Sequence, residues 1–161
     1  MSQRTLLFDR LKAIGINYTT YEHIPVFTCA ESETVCATLP KFGQCKNLFL
    51  KDRKKRLWLI VALNSTQVQL RELAKTLDAP ELRFADAALL MQTLGVEAGS
   101  VTPFALINDT QHAVTVVLDR LLLEQTVVGF HPLKNDATTV ISPDDLLKFI
   151  KSCGNTILFM D

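Results

Sequence analysis

A run of basic side chains between residues 46 and 56 could bind an anion. It holds six lysines and arginines against one aspartate, so its formal charge is +5 and the rest of the neutral chain carries −5. Such a run is typical of a patch that meets a phosphate backbone, or of a solvated turn at the tip of a hairpin. Lys46 differs from the others because it opens the predicted strand 47–50, so its ammonium group could lie at a sheet edge or cleft. Zero net charge excludes only a wholly basic nucleic-acid binder.

The loop at residues 95–103 is a second candidate. Gly95, Gly99 and Pro103 bracket it between a predicted helix and a predicted strand. Gly99 has no Cβ, so the backbone there could turn its amides inward and stabilise an anion or an oxyanion. The alternative is a plain connection between a helix and a strand.

His131 is a third candidate because Pro132 follows it and holds it in an extended conformation. Its imidazole could titrate near neutral pH or bind a substrate, although a lone histidine is also compatible with a purely structural role. The sequence contains no G-x-S-x-G, no G-x-x-x-x-G-K-[ST] and no H-E-x-x-H motif. Covalent serine hydrolysis, P-loop phosphoryl transfer and zinc hydrolysis therefore have no support.

Four cysteines and three histidines could bind a metal ion. The cysteines, at 29, 36, 45 and 153, form no C-x-x-C pair, and the histidines, at 23, 112 and 131, show no metal-ligand spacing. We expect no metal and four reduced, partly buried thiols, with a disulfide or a metal site as the alternative. Charges interrupt the first 14 residues and the longest apolar run is 57–63, so the sequence predicts a soluble cytoplasmic protein without a membrane span.

The elements that position these residues follow from apolar periodicity and turn residues. Helices are predicted near residues 7–14, 31–39, 68–77 and 87–94, and from Ser142-Pro143 onward. Strands are predicted at 16–22, 46–50, 57–63, 82–84, 104–108, 113–118, 127–130 and 138–141. Two of the strand pairs, 46–50 with 57–63 and 104–108 with 113–118, are predicted hairpins. Residues 1–161 are therefore expected to form a single α+β domain with a mixed, largely antiparallel sheet and packed helices.

Three motifs occur in the order that one family shows. They are residues 46–52 (KNLFLKD), residues 99–109 (GSVTPFALIND) and the segment 130–143, which runs from Phe-His-Pro to Ser-Pro. Together they resemble the YbaK/ProX superfamily, which includes the editing domain inserted in bacterial prolyl-tRNA synthetases, and most of all its freestanding alanyl-tRNA(Pro) deacylases. The resemblance covers residues 21–150 and implies a pocket between the sheet and the helices.

The resemblance also implies which residues act on the substrate. Lys46, Gly99 and His131 would be catalytic: Lys46 would engage the acceptor end, the Gly99 loop would hold the ester carbonyl, and His131 would shape the pocket or act as a base. The implied substrate-binding residues are Asn47, Lys51, Ser100, Pro103 and Asn135.

The function implied is trans-editing, in which the ester joining a wrong amino acid to tRNA is hydrolysed without a cofactor. Ala-tRNA(Pro) is the expected substrate, because a synthetic pocket for proline rejects the smaller alanine by only ~1–3 kcal/mol. One alternative is Cys-tRNA(Pro) or another mischarged tRNA, and a second is a non-catalytic tRNA-binding or regulatory module. The expected partners are the acceptor end of tRNA(Pro) and, as a further candidate, prolyl-tRNA synthetase; the chain itself is expected to be a monomer.

Two positions depart from the family pattern. The run Asn-Thr-Ala-Thr that commonly follows the His-Pro pair has an acid, Asp136, at its second place. Cys45 stands before Lys46, where threonine or another small polar residue is expected. Both bear on the shape of the amino-acid pocket, and we expect Asp136 to lie outside it.

Overall fold

An eight-stranded mixed sheet forms the centre of the fold, in a computed structural model that describes residues 2–161. The strands are β1 (Thr19–Glu22), β2 (Gly43–Lys51), β3 (Leu57–Leu63), β4 (Arg83–Phe84), β5 (Val114–Asp119), β6 (Val128–Phe130), β7 (Ala137–Ile141) and β8 (Ile157–Met160). Their order is β1-β7-β6-β2-β3-β5-β8, with β4 paired to β2 off this path. Four strand pairs are antiparallel and three are parallel. The prediction of an α+β fold with a mixed sheet is confirmed.

Helices cover both faces of this sheet. They are α1 (Gln3–Ala13), α2 (Cys29–Cys36), α3 (Leu70–Leu77), α4 (Ala87–Leu94) and α5 (Pro143–Cys153). Successive residues of β3 alternate between two apolar clusters, as the period of a strand requires. Leu59 and Val61 pack with residues of α1, α4 and α5, whereas Trp58 and Ile60 pack against α3.

Several helix boundaries follow from residues that were readable in the sequence. The hydroxyl of Ser142 accepts a hydrogen bond from the backbone N–H of Asp145, and Pro143 occupies the first turn of α5. Helix α4 ends at Gly95, whose φ of 66° is the left-handed conformation that glycine adopts readily. Both predicted helices are confirmed.

The predicted hairpin of residues 104–108 with 113–118 is wrong. Residues Pro103–Asn108 form a 3₁₀ helix, in which Phe104, Ala105 and Leu106 are all buried. Thr102 caps this helix by accepting a hydrogen bond from the backbone N–H of Phe104, and Pro103 sits in its first turn. A short apolar run does not by itself distinguish a buried strand from a buried helical turn. Here the cap at Thr102 and the proline that follows it favour the helical turn. Strand β5 instead runs parallel to β3 and β8.

Strand β8, which forms one end of the strand order, was not predicted from the sequence. It follows α5 after Gly154 and pairs with β5 in parallel, with Val116 opposite Ile157 and Asp119 opposite Met160. Its exposed Leu158 and Phe159 give it no clear alternation of apolar and polar residues. No helix among residues 2–161 is long and apolar enough to cross a membrane.

One edge of β2 is interrupted, and this opening shapes the candidate site. At its start β2 pairs with β6 through Gly43 and Gln44, and at its end with β4 through Leu50 and Lys51. No strand of the described residues lies against the same edge between these two pairings. The edge of β2 around Lys46 is therefore accessible from the side.

Candidate functional site

A cavity of about 200 Å³ lies beside the open part of β2. Strand β2 forms one wall, and β6 with the residues that follow it forms a second. Helix α2 and the segment 26–28 before it form a third wall, and Ala98, Gly99 and Val101 complete the lining. The structure brings four of the predicted site residues to this cavity: Lys46, Asn47, Gly99 and His131.

Lys46 reaches the cavity from the middle of β2, opposite Ala62 of β3. The backbone oxygen of Gln44 accepts from the N–H of Asn64 at 2.9 Å, which makes these two residues a directly opposed pair. Opposed side chains project to the same face, and so do side chains two residues apart on one strand. Gln44, Lys46 and Asn64 therefore share one face of the sheet, and all three line the cavity.

The tautomer of His131 is fixed by its neighbour. Its Nδ1 lies 2.9 Å from the carbonyl oxygen of Ala137, which can only accept, so Nδ1 carries the proton and Nε2 has a free lone pair. Burial is the main cause that lowers the pKa of His131, and the nearby His23 adds to it, while the bond to Ala137 opposes the shift. The imidazole is therefore neutral at pH 7.

His23 stands beside His131, with 6.1 Å between the ring centroids. Its Nδ1 donates to the carbonyl oxygen of Ile24 at 2.7 Å, because that oxygen can only accept. Its Nε2 lies at hydrogen-bond distance, 2.9 Å, from the hydroxyl of Thr138. Thr138 lines the cavity, so this hydrogen bond connects His23 to the site.

Gly99 lines the cavity at a point where the chain has little room for a side chain. A Cβ at this position would lie 3.3 Å from Asn135 Nδ2 and 3.3 Å from the ring of Phe27. Asn135 in turn donates to the carbonyl oxygen of Val26 at 2.6 Å, so it links the loop before β7 to the loop before α2. The N–H of Ser100 is bonded to Glu97 O at 2.9 Å, so that amide does not face the cavity as an oxyanion donor.

Four predicted substrate-binding residues do not line this cavity. Ser100 and Pro103 are buried, and Asn135 and Ser100 border a separate cleft beside α1. Lys51 is five residues beyond Lys46 on β2, a distance of about 17 Å along the strand. It lies opposite Arg83 of β4.

Gln44 and Asn64 also line the cavity, although neither was predicted from the sequence. The side-chain oxygens of both residues, together with that of Asn47, are buried and have no hydrogen-bond partner. Gln44 could have been found from the period of two along the strand, because it precedes Lys46 by two residues. Asn64 offers no local signal, since only the pairing of β2 with β3 brings it to the site.

Comparison with known proteins identifies the family. The model of the aminoacyl-tRNA editing domain matches residues 23–149. The chain belongs to this family. It is 36% identical to the prolyl-tRNA editing protein ProX of Acetoanaerobium sticklandii, over 97% of this chain and 95% of that protein. It is 41% identical to prolyl-tRNA synthetase associated domain-containing protein 1 of Danio rerio, over 95% of this chain and 84% of that protein.

Solved structures show the same fold at low sequence identity. A crystal structure described as a candidate trans-editing enzyme for prolyl-tRNA synthetase matches with a TM-score of 0.73 and 19% identity. The match covers 99% of this chain and 96% of that one. The mixed sheet and its helices are therefore the fold of an editing domain.

The two departures from the family pattern occupy different places in this editing domain. Asp136 lies outside the cavity, where the Arg4 guanidinium bonds it at 2.6 Å and holds the pKa of its carboxyl below the usual value. Cys45 lines the cavity, and burial raises the pKa of its thiol far above the usual value. Cys36 and Cys153 are buried, whereas Cys29 is exposed at the cavity, contrary to the expectation of partial burial.

The basic hairpin between β2 and β3 is organised around Asp52. This buried carboxylate accepts hydrogen bonds from the Arg56 N–H at 3.0 Å, from Arg56 Nε at 2.8 Å and from Trp58 Nε1 at 3.2 Å. Burial would raise the pKa of Asp52, but these hydrogen bonds outweigh burial and lower it. Asp52 therefore remains charged and fixes the tip of the hairpin.

Acidic residues neutralise part of the hairpin. Arg53 lies 3.7 Å from Glu81, and Lys54 lies 3.9 Å from Asp78. Within residues 2–161, no such ion pair is found for Lys46, Lys51 or Lys55. The cations available to an external anion are thus fewer than the sequence count indicates.

Proposed function

We propose that this chain is a deacylase that hydrolyses the ester of mischarged tRNA(Pro), with Ala-tRNA(Pro) as the substrate. The observation that carries the proposal is the cavity at the open edge of β2, where Lys46, Asn47 and His131 meet. Membership of the editing family and the likeness to ProX support it. In this proposal residues 1–161 act as one monomeric editing domain in the cytoplasm.

The chemistry needs positioning more than a strong base, because an aminoacyl ester is already activated toward water. Lys46 binds the phosphate or ribose of the terminal adenosine and so places the ester carbonyl at the cavity. His131 accepts a hydrogen bond at Nε2 from the attacking water or from a ribose hydroxyl. The water oxygen forms a bond to the carbonyl carbon, the bond to the ribose oxygen breaks, and that oxygen takes up the proton that the water loses.

Selection of a small amino acid rests in this proposal on close packing around the substrate's side chain, not on the total volume of the cavity. The volume of about 200 Å³ has to hold both the aminoacyl ester and the terminal ribose. Proline would add ring carbons that displace packed atoms, and overpacking typically costs roughly 1–3 kcal/mol or more. Alanine fits and is hydrolysed, and the correct product, Pro-tRNA(Pro), is left intact.

The acceptor stem extends from the cavity toward the unpaired cations Lys51 and Lys55. Lys51 lies five residues beyond Lys46 on β2 and therefore projects to the alternate face of the strand. Arg83, which stands opposite Lys51, is already paired with Glu81 at 3.9 Å. Lys55 lies at the hairpin beyond them. Phosphates spaced along the stem can contact these side chains in turn, which makes the binding salt-dependent. Prolyl-tRNA synthetase, which the names of the relatives mention, is a further candidate partner.

The test is a single-turnover assay on tRNA(Pro) charged with alanine, serine, cysteine or proline. We expect alanine to be released fastest, serine more slowly, and proline at the spontaneous rate. Fast release of cysteine with slow release of alanine would favour a cysteine-specific deacylase. Binding of tRNA(Pro) without acceleration for any of the four esters would favour the non-catalytic module and overturn the proposal.

A further inference from the structure

Phe27 is an exposed aromatic residue at the cavity. Its exposed fraction is 69%, yet the residue belongs to the cavity lining. A Cβ placed at Gly99, which also lines the cavity, would lie 3.3 Å from Cδ1 and 3.9 Å from Cε1 of the phenyl ring. No aromatic ring among residues 2–161 pairs with that of Phe27. A lining residue this exposed lies where the cavity opens to solvent, and its ring is accessible to a ligand.

The backbone on both sides of Phe27 is held in place. Val26 donates its N–H to the carbonyl oxygen of Asn135 at 3.1 Å, and its own carbonyl oxygen accepts from Asn135 Nδ2 at 2.6 Å. On the other side, Thr28 caps α2 by accepting from the N–H of Glu31 at 3.1 Å, and the Glu31 carboxylate accepts from the N–H of Phe27 at 3.4 Å. The segment therefore holds Phe27 at the cavity before a substrate arrives, which lowers the entropy cost of binding.

The shape of the phenyl ring favours a flat, ring-shaped partner. In the proposed complex the amino acid lies at the ester and Lys46 binds the ribose or phosphate of the terminal adenosine, so the adenine base still needs a binding surface. The methyl group of alanine is too small to cover a phenyl ring, whereas adenine is a planar fused ring. Bases of single-stranded nucleic acids stack on aromatic side chains in this way, with little dependence on sequence.

We propose that Phe27 is a positioning residue on which the adenine of the terminal adenosine stacks. This contact rests on the proposed deacylase function and deepens it. Stacking holds the nucleoside by its base while Lys46 holds it by the ribose or phosphate, so the ester between nucleoside and amino acid enters the cavity in one orientation. Because stacking contacts the face of the base and not its edge, it adds affinity for the 3′ end and leaves the choice of tRNA to other contacts.

The test combines a change in the protein with a change in the substrate. Single-turnover rates are measured against protein concentration for alanyl-tRNA(Pro) that ends either in adenosine or in a ribose without a base. Phe27→Ala should raise the half-saturating protein concentration for the normal substrate roughly tenfold, the scale of one base–aromatic contact. The maximal rate should change little, because the stacked contact is present in the ground state and the transition state alike. For the substrate without the base, parent and Phe27→Ala should have the same half-saturating concentration.

Three further variants serve as controls. Phe27→Tyr retains an aromatic ring and should behave as the parent does. Phe27→Leu keeps an apolar side chain without the ring, so it should lose most of the same affinity. Ile24→Ala removes a side chain that is 71% exposed but lies outside the cavity lining, and it should have no effect. Thermal melting of all variants shows whether they fold.

The outcomes separate the stacking contact from the deacylase function. An unchanged half-saturating concentration in Phe27→Ala, or an equal loss of affinity with and without the base, would overturn the stacking contact and leave the deacylase proposal intact. Full retention of affinity in Phe27→Leu would overturn it as well. If the parent accelerates alanine release from neither substrate, the proposed function fails and the stacking contact fails with it.

Discussion

Arg4 of α1 and Asp136, which lies five residues beyond His131, form an ion pair with 2.6 Å between Nη2 and Oδ1. The same guanidinium donates through Nε to the carbonyl oxygen of Pro132 at 2.9 Å. Both contacts hold the loop after β6 against α1, on the side of the loop that borders the second cleft. Asp136 thus stabilises a loop next to the site without entering the cavity.

Asp136→Asn should leave the order of amino-acid release unchanged and reduce stability by less than about 1 kcal/mol, because the pair is partly exposed. Arg4 lowers the pKa of this carboxyl in the folded state. The ion pair therefore contributes stability above the unfolded pKa of about 4, and the contribution is lost as the pH falls through the folded pKa. Melting temperatures of parent and variant should differ at pH 7 and converge at acidic pH. A changed order of release would place Asp136 in the pocket.

Elements marked by capping residues could be predicted from the sequence, and elements decided by distant pairing could not. Ser142 and Pro143 start α5 as the sequence indicates, because a cap acts within a few residues. The apolar run at residues 103–108 misleads because it fits a strand or a buried helical turn equally well. Strand β8 forms only because α5 brings it alongside β5.

The same distinction applies to the site. The candidates Lys46, Gly99 and His131 belong to three separate motifs, and the fold brings them to one cavity. The sequence overstates the number of unpaired cations in the basic hairpin. Asp78 and Glu81 follow α3, and they approach Lys54 and Arg53 only in the folded chain. Asn64 was missed for a similar reason, since its neighbour at the site is twenty residues away along the chain.

Lys46→Ala should reduce the single-turnover rate on Ala-tRNA(Pro) at least ~100-fold, the scale expected when the substrate's reacting end is no longer held in position. The fold should persist, because Lys46 makes no ion pair with any of the described residues. Lys12→Ala, which removes an exposed lysine from α1, is the matched control and should retain the parent rate. A Lys46→Ala variant with the parent's rate and melting temperature would remove Lys46 from the proposed mechanism.

The double change of Lys51→Gln with Lys55→Gln should weaken tRNA binding and flatten its salt dependence. Removing one lysine–phosphate interaction lowers the slope of log K against log salt by roughly 0.7–0.9, so the two changes together should lower it by about 1.5. Lys54→Gln is the control within the same hairpin and should change the slope less, because Asp78 lies 3.9 Å from its ammonium group. Binding titrations between low and high salt supply the measurement. An equal effect of all three lysines, or none, would show that the hairpin does not bind tRNA in the proposed way.

Deacylation should lose activity at a lower pH than a histidine of ordinary pKa would give. The proposed mechanism needs the lone pair of His131 Nε2, which protonation removes, and burial lowers the pKa of this imidazole in the folded protein. The rate divided by the spontaneous rate should therefore stay constant from pH 8 down through about 6.5, the ordinary histidine value, and fall only below it. His131→Gln still offers a neutral acceptor but does not titrate, so its rate should be reduced at pH 7 without the acidic decline. His23→Gln is the control, because the ring of His23 lies 6.1 Å from that of His131. The acidic limb should persist in His23→Gln and be absent in His131→Gln. The reverse result would remove His131 from the proton-sensitive step.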